Sequence, residues 1–338
     1  MAAGFKTATV NASDVPSTQT DFPSYVDLDR LGVTTLAEAQ SIRVYADEAK
    51  TVEWAREIVS ATEMHVKVPS LTSTVDIYVD WDGVRIDYAT TATYGRNAVW
   101  SDYYLVWHGD SLNESSGGQT LASSGGITLG DSVGQIAEAT DFLGSNDYIS
   151  TSNSYLMEYP YSVQGWVKPD STAATGVYMA RYTAANTDNM FQFAQSGGDV
   201  FVRAFVSSGG FIGRRTSGGI STSWAMYHGT FESSVTSDSD VKIYKDGAVP
   251  GTGGEGGSGT VNESTERTYM GVQNSLTGDY SGLLDEMRIA KSTLQPNWIT
   301  TEYNNQNDEA TFWGTWTDAG GGGGGAAQTA RRGVIMMM

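Results

Sequence analysis

The sequence predicts an all-β chain of two antiparallel β-sandwiches in tandem, and three observations carry that expectation. Runs with a helical period are scarce. Short strand-type runs broken by Gly, Ser, Asn and Asp recur from end to end, as in β-sandwiches. Aromatic residues make up 11% of the chain, and such rings fill packed β cores, which separates this Gly/Ser/Thr-rich composition from disorder. At 338 residues the chain suits two domains of ~100–200 residues each and can bury a core without covalent help. It has no cysteine, which removes disulfides, thiolate zinc sites and cysteine nucleophiles together.

The elements follow in chain order. Alternation at 24–28, 42–45, 52–58 and 65–68 predicts the first strands. In residues 75–88 the apolar positions Val75, Ile77, Val79, Trp81, Val84, Ile86 and Tyr88 flank Asp82-Gly83. A two-residue turn there pairs Trp81 with Val84 and puts every apolar side chain on one face. Further strands are expected at 103–107, 161–167, 190–193, 200–206, 224–231 and 284–289. A second hairpin is expected at 241–249 around Asp246-Gly247. One helix is expected from Pro296, with Ile299 and Tyr303 following at a spacing of four. The junction between the sandwiches falls at 90–100. Residues 112–134 and 250–259 read as Gly/Ser-rich loops, and the glycine run 320–325 reads as a flexible linker. The resulting division is 1–95, 96–316 and a tail, 317–338.

A net charge of −19 gives no surface for neutralising a phosphate backbone or docking on anionic lipid, so nucleic acid is excluded as a partner. No stretch approaches the ~20 apolar residues of a membrane span, so membrane insertion is excluded too. The first 22 residues show no apolar segment of a secretory signal.

Six segments in order carry a family resemblance: Asp141-Phe-Leu-Gly-Ser-Asn-Asp-Tyr-Ile149, Tyr161-Ser-Val-Gln-Gly-Trp166-Val-Lys-Pro169, Trp224-Ala-Met-Tyr-His-Gly-Thr-Phe231, Lys242-Ile-Tyr-Lys-Asp-Gly247, Tyr280-Ser-Gly-Leu-Leu-Asp-Glu-Met-Arg-Ile289 and Asn297-Trp-Ile-Thr-Thr-Glu-Tyr-Asn-Asn-Gln306. Over about 100–312 the chain resembles the laminin-G-like, concanavalin A-like jelly rolls. Phe22-Pro-Ser-Tyr-Val-Asp-Leu28, Ser41-Ile-Arg-Val-Tyr45, Val66-Lys-Val-Pro69 and Asp76-Ile-Tyr-Val79 resemble a small β domain of unassigned function that often precedes such modules in bacteria and phages. The resemblance implies a two-sheet sandwich serving binding or adhesion, in some members with a structural calcium.

The same jelly roll also carries retaining glycosidases, which need two carboxylates ~5–5.5 Å apart. On a strand that means an acid two residues after a Glu, and no Glu here is followed so. Asp285-Glu286 are adjacent, and regular alternation points them to opposite faces. No catalytic residue is expected. The resemblance implies instead that Asp285, with Asp141 or Asp147, holds a structural calcium, the one cofactor expected. The competing reading is a carboxylate accepting backbone N–H bonds at a strand end. Asp76, Asp80, Asp82 and Asp87 read as a solvated strand face, and Gly251–Gly256 reads as a flexible loop despite its dinucleotide-type lettering. His65, His108 and His228, far apart in sequence, are expected as core histidines rather than zinc ligands.

Tyr178, Tyr182, Arg203, Phe211, Arg214 and Arg215 are the candidate glycan-binding residues, against packing in the core or on a neighbouring subunit. Arg331, Arg332, Val334, Ile335 and Met336 follow the glycine run, and an apolar end after a basic pair suits docking. These readings converge on a non-enzymatic attachment protein on a virion surface, a phage capsid decoration or fibre component. Its partners would be copies of itself, other virion proteins and cell-surface glycans. A bacterial surface or secreted carbohydrate-binding adhesin is the alternative.

Overall fold

The computed structural model describes residues 3–144, 146–182, 190–206, 210–261, 264–272 and 278–320. It is almost all β, in four antiparallel sheets. Two small sheets form the front unit. One has five strands in the order Thr317–Asp318, Gly4–Thr9, Asp76–Trp81, Arg43–Tyr45, Glu53–Trp54, and the other has three, Gln19–Asp27, Glu63–Leu71, Arg56–Ile58. Between them lies a core that includes Phe22, Val26, Val44, Met64, Val66, Ile77, Val79 and Trp81. Alternation decides which residues enter it: Met64, Val66 and Val68 point into this core, while Glu63, His65 and Lys67 face the other way.

The jelly roll has a seven-stranded sheet and a nine-stranded sheet. The first runs Ser132–Val133, Glu138–Leu143, Ser281–Ala290, Tyr161–Pro169, Ala225–Phe231, Val241–Lys245, with Tyr103–Trp107 also on Ser281–Ala290. The second runs Thr252–Gly254, Phe211–Thr216, Asp199–Phe205, Phe191–Ser196, Gly176–Tyr182, Ser264–Met270, Tyr148–Thr151, Leu121–Ser124, with Tyr155–Met157 beside Ser264–Met270. Their inner faces close over Trp107, Phe142, Tyr161, Phe193, Val202, Tyr227, Leu284, Met287 and Ile289. The expected helix is present as Pro296–Asn307, with proline in its first turn.

Three expectations are corrected. The 75–88 hairpin does not form: Asp76–Trp81 pairs with Gly4–Thr9 on one edge and Arg43–Tyr45 on the other. A strand with both edges taken has none left for residues 84–88, and Val84 and Ile86 are 78% and 82% exposed. Asp82 instead makes an Asx turn, its carboxylate accepting from the Val84 and Arg85 N–H groups. At the second turn, Lys245 and Ala248 exchange backbone hydrogen bonds, and Asp246 and Gly247 both have positive φ. The turn falls at Asp246-Gly247 as expected, of the primed type, but the return is a single bridge rather than a strand. The acidic row 76, 80, 82, 87 is not simply solvated: Asp80 pairs with Lys50 and Arg85, Asp82 with Arg85, and Asp87 with Arg56.

The packing also crosses the division at residue 316. Phe312, Trp313 and Trp316 belong to the front core, not to the jelly roll. Thr317–Asp318 pairs with Gly4–Thr9, Asn11 N–H donates to the Phe312 carbonyl at 2.7 Å, and the Trp313 indole donates to the Tyr25 carbonyl. Arg30 clamps this segment through Glu309 and the Gly314 carbonyl. Arg331, Arg332, Val334, Ile335 and Met336 lie outside the described residues.

Two predictions follow from this closure. Trp313→Ala removes a fully buried indole, so chemical denaturation should show a loss of about 3–5 kcal/mol; a loss under about 1 kcal/mol would mean that the segment is not part of the front core. Burial raises the Glu309 carboxyl to about 7, with Arg30 opposing. The folded form therefore holds a proton that the unfolded form releases near 4.5. This contribution is complete below 4.5 and is lost as pH rises to 7, at most roughly 3 kcal/mol. Glu309→Gln should flatten the melting-temperature profile between pH 4.5 and 7, and an unchanged profile would contradict the assignment.

Candidate functional site

Two places on the jelly roll gather chemically capable side chains, on its two opposite outer faces. On the nine-stranded sheet, alternation along Asp199–Phe205 turns Phe201, Arg203 and Phe205 outward while Val202 and Ala204 enter the core. In register, Arg203 stands opposite Gln192 on one side and Gly213 on the other, Phe201 opposite Arg215, and Phe205 opposite Phe211. Gly213 matters here, because a Cβ would lie 2.6 Å from that of Arg203. The Arg203 guanidinium sits 4.5 Å from the Phe201 ring centroid and 4.3 Å from that of Phe211. Its Nε donates to Gln192 Oε1 at 2.8 Å, and Glu255 lies 3.7 Å from it and 3.5 Å from Arg215. The result is an oriented cation between two rings, with amide and carboxylate partners at its edge.

Of the six candidates named from sequence, this face unites Arg203, Phe211 and Arg215. Arg214 has the opposite parity and donates to the Asp238 carbonyl. Tyr178 is fully buried, its hydroxyl donating to Gln195. A register irregularity between Val177 and Met179 turns Tyr178 and Met179 both into the core. Tyr182 ends its strand opposite Arg267; its side chain lies outside the described residues.

The calcium candidates form no ligand cluster among the described residues. Asp285 is fully buried and accepts from the Ile136 N–H at 2.9 Å. Asp147 accepts from Gly126 and Leu143 N–H groups, and burial, with the Asp170, Asp131 and Asp147 charges nearby, raises the Asp141 carboxyl. Asp285 thus matches the competing reading, a carboxylate holding backbone N–H groups.

The second place was missed in the sequence. Along Ser281–Ala290 the register skips: Gln164 faces Arg288, but Trp166 faces Asp285. The bulge opposes Gly165 with one residue too many, and Glu286 takes φ +53°. Leu284 and Met287 stay in the core, so Asp285 and Glu286 share the outer face instead of splitting as alternation predicts.

The front unit's three-stranded sheet lies against that face. Glu57 and His65 are neighbours in register, and they meet His108, Glu286, Arg288 and Trp100. His65 and His108 stack with centroids 4.8 Å apart. His108 Nδ1 lies 2.6 Å from Glu286 Oε1, and its Nε2 lies 3.1 Å from Glu57 Oε2. Ser115 donates to Glu57 Oε1 at 2.5 Å, and the Trp100 indole donates to Glu57 Oε2. Arg288 pairs with Glu286 and, at 2.8 Å, with Glu302, whose other oxygen lies 3.1 Å from His228. All three histidines are buried, and two of them converge with three glutamates.

Burial opposes every charge in this seam, and the partners decide which survive. At His108 burial is outweighed by Glu286 and Glu57, so the imidazole holds its proton well above the usual range. Burial also opposes the Glu286 charge, but Arg288 and the two histidines hold its carboxyl well below the usual value. Glu57 stays low against burial through His108 and Ser115. Burial raises the Glu63 carboxyl well above the usual value, with Glu286 and Asp285 adding to it against His108, and lowers His65 to about 4. Glu63 Oε1 and His65 Nε2 lie 3.0 Å apart.

Imidazole NMR titration should therefore show His108 charged well above pH 6.5 and His65 neutral down to about 4. A raised histidine stabilises fully below its unfolded value, 6.5, and that contribution is lost as pH rises through the folded value. Glu286→Gln should move the His108 titration downward and cost about 3–5 kcal/mol, the penalty for stripping a partner from buried charge. An unmoved His108 titration would refute the pairing.

Residues 143–300 match the family described as the concanavalin A-like lectin/glucanases superfamily, and the match does not reach the front unit. None of the curated proteins compared with the chain matches it. Among solved structures, the chain is similar to the botulinum neurotoxin type G receptor binding domain, at 13% identity over 61% of this chain and 51% of that one, TM-score 0.46. The serotype D ligand binding domain in complex with N-acetylneuraminic acid aligns at 13% identity over 63% and 53%, TM-score 0.47. Domain 4 of AbnA, an extracellular arabinanase from Geobacillus stearothermophilus in complex with arabinotriose, aligns at 19% identity over 59% and 97%, TM-score 0.47. The chain spans about half the length of the toxin domains. Within the sandwich, then, residues 143–300 form a laminin-G-like, concanavalin A-like lectin/glucanase domain.

Proposed function

We propose that this chain is a non-enzymatic glycan-binding attachment protein, carried on the outside of a virus particle as a capsid decoration or fibre component. The observation that carries the binding reading is Arg203, held between Phe201 and Phe211 on the outer face of the nine-stranded sheet. Sugar recognition needs flat apolar rings beside oriented polar groups, and this face supplies both, with Gln192, Glu255 and Arg215 at the rim. The superfamily joins lectins and glucanases, and the chemistry of this face favours the lectin side. A retaining hydrolase needs an acid and a nucleophile side by side, whereas Glu255 stands here between two arginines. The virion reading rests on sequence: the acidic, cysteine-free chain carries a glycine run followed by an arginine pair and an apolar segment that suits assembly with sister copies or other particle proteins.

A glycan array probed with the full chain tests binding. Arg203→Ala should weaken the strongest signal roughly tenfold to a hundredfold, the value of a hydrogen bond to a charged group. Arg214→Ala, on the neighbouring strand Phe211–Thr216 with its side chain on the other side of the sheet, should leave it unchanged. Equal binding by Arg203→Ala, or release of cleaved sugar, would overturn this reading. Mass spectrometry of purified particles against secreted and cell-surface fractions tests location, and recovery only in the latter would replace the virion by a bacterial adhesin.

A further inference from the structure

We propose that Glu63, His65, His108 and Glu286 form a zinc-type metal site that joins the front unit to the jelly roll. Each of the four offers one ligand atom, and all four atoms lie within 4.8 Å of one another. Four of the separations are Glu63 Oε1 to His65 Nε2 at 3.0 Å, Glu63 Oε1 to His108 Nδ1 at 3.4 Å, His65 Nε2 to Glu286 Oε1 at 3.8 Å, and Glu286 Oε1 to His108 Nδ1 at 2.6 Å. A tetrahedral ion with bonds of 2.0–2.1 Å places its ligand atoms about 3.3 Å apart. The four atoms already surround a volume of that size.

The donor types fit as well. Two imidazoles and two carboxylates suit zinc and its divalent transition neighbours, whereas calcium wants six to eight oxygens. Two carboxylates neutralise a divalent ion, so the loaded site adds no net charge to an interior where unpaired charge is costly. An outer shell is also in place. His108 Nε2 faces Glu57, fixing which nitrogen is turned to the site, and Arg288 holds the second oxygen of Glu286. Glu286 is aimed there by a bulge and a left-handed backbone that a glutamate rarely adopts, and strained residues of this kind cluster at functional positions. A cavity of about 120 Å³, lined by Glu57, His108, Asp110 and Ser115, borders the site on its His108 side. On entry, the ion displaces the proton shared by His108 and Glu286 and the one shared by Glu63 and His65. Both pass to solvent, as metal binding requires deprotonated ligands.

Glu63 and His65 come from the front unit, and His108 and Glu286 from the jelly roll. The ion would tie the two units directly. The test uses the full chain, stripped with a strong chelator and dialysed against zinc. About one equivalent should be retained, melting should rise by roughly 5–10 °C at a thousandfold excess over Kd, and cobalt in place of zinc should give the visible bands of a four-coordinate ion. Calcium should leave melting unchanged. His108→Ala and, separately, Glu63→Gln should retain no zinc and lose the shift. Should either variant fail to fold, the wild-type stoichiometry and cobalt spectrum decide. Retention below a tenth of an equivalent, melting indifferent to zinc, a six-coordinate cobalt spectrum, or unchanged zinc in a folded His108→Ala would each overturn the proposal.

Discussion

The molecule depends on a polar seam where a protein interior is normally apolar. The outer face of the three-stranded front sheet carries Glu57, Glu63 and His65. The outer face of the seven-stranded jelly-roll sheet carries Glu286 and Arg288, beside His108 and Trp100, and all of them are buried. Withdrawing such groups from water costs several kcal/mol per ion, and only dense mutual pairing offsets it. The seam meets that demand by an unbroken chain of partners, from Ser115 and Trp100 on Glu57 to His108, Glu286, Arg288, Glu302 and His228. An apolar interface would tolerate a slide of an ångström. This one would strand charges, so it fixes one mutual placement of the two units.

The helix Pro296–Asn307 extends the same logic. Its Glu302 and Gln306 reach Arg288, Gln164 and Trp166 on the jelly roll, while Asn305 makes two hydrogen bonds with the Tyr25 backbone of the front unit. A helix with polar residues on both sides looks solvent-exposed in sequence, yet Glu302, Asn305 and Gln306 are buried. It is a wedge whose polar side chains bond to backbone and side-chain groups on both surfaces it separates.

Periodicity carried most of the strands, because in each the apolar residues face a single core. It failed where something other than a core set the pattern. The 75–88 hairpin obeyed every local rule, but Asp76–Trp81 is a central strand, and strand neighbours are not written in local spacing. Tyr178 and Glu286 were misplaced because each sits at a one-residue irregularity that reverses parity. The Phe201-Arg203-Phe205 row was readable in part, since Arg203 and Phe211 could be named from their positions. The four-residue cluster was not. Its members are Glu63 and His65 in one strand, His108 after another and Glu286 in a third, and only the folded seam brings them together. Gly165 opposite an acidic pair was the one local hint, since a glycine within a strand often marks a bulge.

The chain's end closes its beginning. Gly4–Thr9 lies between Asp76–Trp81 and Thr317–Asp318, and the front core contains Trp313 and Trp316. The front unit is therefore completed only after the whole jelly roll has been threaded between its halves, a non-local arrangement that slows folding. What it gains is position. The seam occupies one outer face of the sandwich, that of the seven-stranded sheet, while the Arg203 row lies on the other, that of the nine-stranded sheet. The sandwich core stands between the two faces, and distant sites with no shared partners act additively. Attachment of the front unit and the recognition proposed for the far sheet thus rest on separate residues: the seam holds the two units together, and the Arg203 row stands apart from it.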